Sequence, residues 1–144
     1  MANILVVDDD SAVSTTIALL LERNGHDVVV ANDGRKGLKA LDSGQFDLLI
    51  VDIFMPGMDG LETMRLVHRQ RPGILILVIS GQVFGSDSKA PDFLHMATKL
   101  GAITSLRKPF KPAALLASVA RCLEDATDTS RPPNAAPAKT PFGS

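Results

Sequence analysis

Cysteine is nearly missing: Cys122 is the only one in 144 residues, so no internal disulfide can form. That count fits a reducing, intracellular setting. Charge of one sign is also missing, since 15 Lys and Arg stand against 16 Asp and Glu for a formal net charge of -1. Such a balance gives no global reason to expect nucleic-acid binding, which shows as a basic patch or a high pI. No apolar run approaches the roughly 20 residues a membrane helix needs. The start, Met1-Ala2-Asn3, has no basic n-region and no small-residue cleavage site, so no signal peptide is read. A soluble, cytoplasmic protein is expected. Histidine is sparse: His26, His68 and His95 fall in unrelated segments and are expected on the surface. What is present is ordinary, 45% hydrophobic and 22% charged, enough for one domain with a buried core plus a tail.

Short apolar runs alternate with helix-period segments. Ile4-Leu5-Val6-Val7, Val28-Val29-Val30-Ala31, Leu48-Leu49-Ile50-Val51, Ile74 to Ile79 and Ile103 to Leu106 read as strands. Continuous apolar runs of this kind suit a parallel sheet buried on both faces. Between them, Ser11 to Asn24 places Val13, Ile17, Leu20 and Leu21 on one helical face, with Gly25 as a stop. Gly34 to Leu41 is a second helix with Leu38 and Leu41 inward. Asp59 and Glu62 resemble a capping box before a third, with Leu61, Met64 and Val67 buried. Asp92 to Leu100 is a fourth. Pro112 suits the first turn of a last helix that shows Leu115, Leu116, Val119, Cys122 and Leu123 on one side. Five β–α units in series predict a doubly wound α/β domain over residues 1–125. Residues 126–144, rich in Pro, Ala, Ser and Thr, are expected to be a disordered tail.

Right-handed crossovers put every strand's C-terminal end on one edge, where open α/β sheets build their sites. The polar residues that interrupt the strands all fall there. The first strand delivers Asp8 and Asp9, with Asp10 beside them. The third delivers Asp52, the fourth Ser80 and the fifth Lys108. Two carboxylates ~4 Å apart repel by about 4 kcal/mol at an effective dielectric of 20. Raised pKa values or an intervening cation must relieve that. Hard oxygen ligands without His or Cys suit Mg²⁺. Such a pocket favours phosphoryl transfer, where catalysis is mostly positioning and neutralisation of charge. A carboxylate can serve as the nucleophile. Asp10, by contrast, reads best as the cap of the first helix.

Four pieces together resemble the response regulator receiver family: Ile4 to Asp10, Leu49 to Gly60 with its Met-Pro-Gly-Met-Asp-Gly turn, Val78-Ile-Ser-Gly81, and Leu106-Arg-Lys-Pro-Phe110. They stand in the family's order, and the resemblance covers roughly residues 3 to 125. It implies a flavodoxin-like five-stranded sheet of order 2-1-3-4-5, an order the chemotaxis receiver is known for. It implies Asp52 as phospho-acceptor, and Mg²⁺ held by Asp8, Asp9, Asp52 and the backbone carbonyl of Phe54. Ser80 would be the switch hydroxyl, Lys108 would contact the phosphoryl group, and the Lys108–Pro109 bond would be cis. A sensor histidine kinase or histidine phosphotransfer protein would be the donor. Output would run by protein contact through the fourth helix, fifth strand and last helix, without DNA binding or a membrane. The expected role is that of a signalling switch of single-domain type, since no effector domain follows, and not of a turnover enzyme.

The chain departs from the family twice more. Ser105 occupies the usually aromatic switch position, and Gly81, Gly85, Ser86, Ser88 and Pro91 predict a long loop after the fourth strand. Two rival functions remain. Asp8-x-Asp10, Ser80 and Lys108 mimic haloacid-dehalogenase-type phosphotransferases, which would make Asp8 the nucleophile. That class needs a further strand-end acid, whereas Glu124, Asp125 and Asp128 fall at a helix end and in the tail. A pseudo-receiver that binds partners without phosphorylation is the other.

Overall fold

Each predicted apolar run becomes a strand of one parallel sheet. The computed structural model describes residues 2–53, 60–80, 99 and 102–126. The strands are β1 (Asn3–Val7), β2 (Asp27–Ala31), β3 (Leu48–Asp52), β4 (Leu75–Ser80) and β5 (Ala102–Arg107). The helices are α1 (Ser11–Arg23), α2 (Gly34–Ser43), α3 (Gly60–Gln70) and, at the C-terminal end, α4 (Pro112–Ala126). The order is β2-β1-β3-β4-β5, all parallel, as expected of the flavodoxin-like fold. The Met55–Asp59 turn and its capping-box acid, the predicted helix Asp92–Leu100 apart from Lys99, the predicted long loop and the tail from Thr127 lie outside the described residues.

Alternation along the three central strands explains why their runs are apolar throughout. Ile4, Val6, Leu48, Ile50, Leu77 and Ile79 meet Ile17 and Leu21 of α1 and Leu115, Val119 and Cys122 of α4. Leu5, Val7, Leu49, Val51, Ile76 and Val78 meet Leu41 of α2 and Leu61, Met64 and Val67 of α3 on the other face. With side chains alternating sides and helices covering both, every position of these strands past Asn3 and Leu75 is interior. β2 lies at the sheet's edge, which leaves Val29 and Val30 exposed.

Local chemistry fixes the helix ends. Asp10 caps α1 by accepting from Ala12 N and Val13 N at 3.0 and 3.3 Å, the role its sequence suggested. After the C-cap Asn24, Gly25 takes φ of 89°, a left-handed conformation that glycine adopts without strain. Asp33 caps α2 through Lys36 N at 2.8 Å. His26 departs from expectation. It is half-buried, and its Nδ1 accepts the Ala2 N–H at 3.1 Å, tying the start of β1 to the turn before β2. Burial lowers its pKa below the ordinary histidine value. His68 is exposed as expected, and His95 lies outside the described residues.

Candidate functional site

β1 and β3 are neighbours although two other elements of the described chain and a strand lie between them in sequence. Their register sets Val7 opposite Val51, so the next residues, Asp8 and Asp52, arrive side by side. This is the point where strand order reverses, the usual crevice of an open α/β sheet. Asp8 is fully buried, Asp52 is 3% exposed, and Asp9 reaches solvent. One carboxylate oxygen from each of Asp8, Asp9 and Asp52 lies within 4.8 Å of the others. The three acids expected to meet are therefore together.

Lys108 joins them from beyond β5. Its Nζ stands 2.9 Å from Asp52 Oδ2, to which it donates a hydrogen bond, and 2.9 Å from Asp8 Oδ2. Asp8 Oδ2 is buried and accepts no hydrogen bond among the described residues, while Asp8 Oδ1 accepts the Asp10 N–H at 2.9 Å. Burial opposes the Lys108 charge, but the carboxylates of Asp8 and Asp52 outweigh it and hold its pKa above the ordinary lysine value.

Backbone contacts set the rest. Ser80 closes β4 and is 4% exposed, one position beyond Ile79, the register partner of Asp52. Its carbonyl accepts the Lys108 N–H at 2.8 Å, which anchors the lysine beside the serine. The Lys108–Pro109 bond is cis, as expected. Ser105 is exposed on β5 opposite Val78, so this strand position offers no aromatic ring. Phe54, the expected carbonyl ligand, lies outside the described residues.

Two features escaped the sequence reading. The sequence brings Lys108 to the same edge as the acids but does not show that it bridges Asp8 and Asp52 directly. A register shift between Ile76 and Leu77 inserts one extra residue, Ile103, into β5 and brings Arg107 opposite Ser80. No sequence motif marks that bulge. An open groove of about 410 Å³ lined by Phe46, Asp47, Arg71 and Ile74 also exists, at the strands' N-terminal edge and so on the opposite rim from the acids.

The donor set fits a small divalent cation. Three carboxylates converge, one keeps a buried oxygen without a hydrogen bond, and all ligand atoms are hard oxygens. Such an ion would be held by Asp8, Asp9 and Asp52.

Comparison with known proteins agrees with this geometry. Residues 4–120 match the family described as response regulator receiver domain. The alkaline phosphatase synthesis transcriptional regulatory protein PhoP of Bacillus subtilis is 34% identical over 116 residues, 81% of this chain and 46% of that protein. The CAI-1 autoinducer sensor kinase/phosphatase CqsS of Vibrio cholerae is 37% identical over 117 residues, again 81% of this chain but 17% of that one. The chain thus spans half or less of these two relatives. Among solved structures, the Vibrio cholerae chemotaxis protein CheY4 superposes with a TM-score of 0.76 at 31% identity, covering 85% of this chain and 98% of that one. A CheY-like receiver domain protein of Methanospirillum hungatei gives a TM-score of 0.79 at 28% identity, covering 87% and 95%. With strand order, acid pocket and sequence in agreement, the chain belongs to the response regulator receiver domain family of two-component systems.

Proposed function

We propose that this receiver takes a phosphoryl group onto Asp52 in a Mg²⁺-dependent reaction and signals by a change of conformation. The observation that carries the reading is the convergence of Asp8, Asp9, Asp52 and Lys108, with the ammonium 2.9 Å from two carboxylates. In the transfer, an Asp52 oxygen attacks phosphorus, a P–O bond forms, and the P–N bond to a donor histidine breaks with neutral imidazole leaving. Bound Mg²⁺ supplies neutralisation of the charge that spreads over the phosphoryl oxygens. Lys108, already charged and held by Ser80 through its backbone, faces the same group. Moving a two-state population from 1:99 to 99:1 takes about 5.5 kcal/mol. A few charge-assisted hydrogen bonds from Lys108 and Ser80, at ~1.5–3 kcal/mol each, reach that range.

The donor in this reading is a sensor histidine kinase or a histidine phosphotransfer protein. The chain acts as a cytoplasmic switch that is itself modified and does not turn over substrate. Output passes through the face carrying β5 and α4 to a protein target.

Incubation with acetyl phosphate and Mg²⁺, followed by borohydride trapping and mass spectrometry, tests the proposal. Label on Asp52, lost in Asp52→Asn, is expected. Label on Asp8 would mark the haloacid-dehalogenase-type chemistry instead, and no label would mark a pseudo-receiver.

A further inference from the structure

Gly60 opens α3, and the site has no room for a side chain there. A Cβ built on Gly60 would stand 2.7 Å from the Asp52 carbonyl carbon, and closer still to the Asp52 carbonyl oxygen and Ile53 Cα. All three are backbone atoms, which cannot swing aside as a side-chain end does. Gly37 differs: its Cβ would meet a methyl of Val7, at 2.7 Å, a side chain and not the backbone that carries the acceptor. Nor does a left-handed torsion demand glycine at position 60, since Gly25 is the described residue with positive φ. Space demands it. The Gly60 N–H also donates to the Ile53 carbonyl at 3.3 Å, and Gly60, Leu61, Thr63 and Met64 are all buried. The first turn of α3 therefore rests on the backbone that presents the acceptor and cannot lift away without opening a close-packed core.

We propose that Gly60 is a positioning residue for Asp52: it lets α3 seat directly on the Asp52–Ile53 backbone and so fixes the Asp52 carboxylate relative to Asp8, Asp9 and Lys108. This rests on the reading of Asp52 as phospho-acceptor. A methyl at position 60 displaces either the helix or the strand end. Displacement of the strand end moves a carboxylate that must serve as both metal ligand and nucleophile. In-line attack of the Asp52 oxygen on phosphorus tolerates little misalignment, and a shift of ~1 Å can reduce rates about 100-fold.

The test compares Gly60→Ala with two controls. Gly73→Ala adds the same methyl where nothing lies within 4 Å, and Val67→Ala removes buried packing about two turns further along α3. Each protein is measured for urea stability, for Mg²⁺ affinity by isothermal titration calorimetry, and for phosphorylation rate with acetyl phosphate. Gly60→Ala is expected to lose on the order of 10- to 100-fold in rate, with weakened Mg²⁺ binding, while Val67→Ala loses stability but keeps both. Rates and Mg²⁺ affinities in Gly60→Ala that match those of Val67→Ala overturn the proposal. If Gly60→Ala does not fold, trimethylamine N-oxide is added to all four proteins to restore compaction, and the same comparison decides. A wild-type protein that binds Mg²⁺ but takes no phosphoryl group sinks the receiver-switch reading instead, and the Mg²⁺ affinities alone then judge Gly60.

Discussion

Asp8 and Asp52 bring two carboxylates into the interior within reach of one ammonium. Removing that ammonium leaves both uncompensated. Lys108→Ala should cost about 2–3 kcal/mol in metal-free urea unfolding, less than the ~3–5 of a fully buried pair because the lysine is partly exposed. Added Mg²⁺ should narrow the gap, and a gap that Mg²⁺ leaves unchanged would place the ion elsewhere. The sign for Lys108 follows from its raised pKa: its contribution is complete below the ordinary lysine value and fades as pH rises through the folded one. His26 runs the other way. With its folded pKa lowered, the unfolded chain binds the extra proton first, so stability falls as pH drops below about 6.5. Thermal unfolding from pH 7.5 to 5 should show a steeper loss in wild type than in His26→Ala; parallel curves would refute the role. The acids and Lys108 were legible because polar residues break apolar runs at strand ends. The His26 contact was not, because its partner is a backbone N–H 24 positions away.

Elements differ in how much of them a sequence displays. The strands emerge within a residue or so of their expected limits, because each apolar run ends where chain leaves the sheet. Pattern and capping chemistry agree for α1, and Asp10→Ala should cost about 1 kcal/mol in urea unfolding while leaving Mg²⁺ affinity intact. A matching loss of Mg²⁺ binding would make Asp10 a ligand. The C-terminal end of α2 is held from a distance: Arg71 Nη2 donates to the carbonyls of Leu41 at 2.7 Å and Gly44 at 3.3 Å. No periodicity announces such a clamp, and the β5 bulge is equally silent. Both depend on which segments become neighbours, a matter settled by packing and not by local preference.

At the scale of the molecule, one sheet separates two cores. Leu49 and Ile50 are successive residues of β3, yet Leu49 belongs to the α2–α3 side and Ile50 to the α1–α4 side. Leu49→Ala should cost about 2–5 kcal/mol and Ile50→Val about 0.5–1.5. Since they share no core, the double variant should be additive within about 0.5 kcal/mol in urea unfolding. A larger coupling would mean that the sheet transmits strain between its faces. The doubly wound order was legible from the β–α alternation, and the predicted position of the pocket followed from it. Positions 8, 52 and 108 come from three separate strands' ends, and their charges meet within 2.9 Å of one ammonium. A chain stalled before its final strand would hold two anions side by side without the ammonium that pairs them. Closure of the charge cluster therefore waits on the last strand to join the sheet.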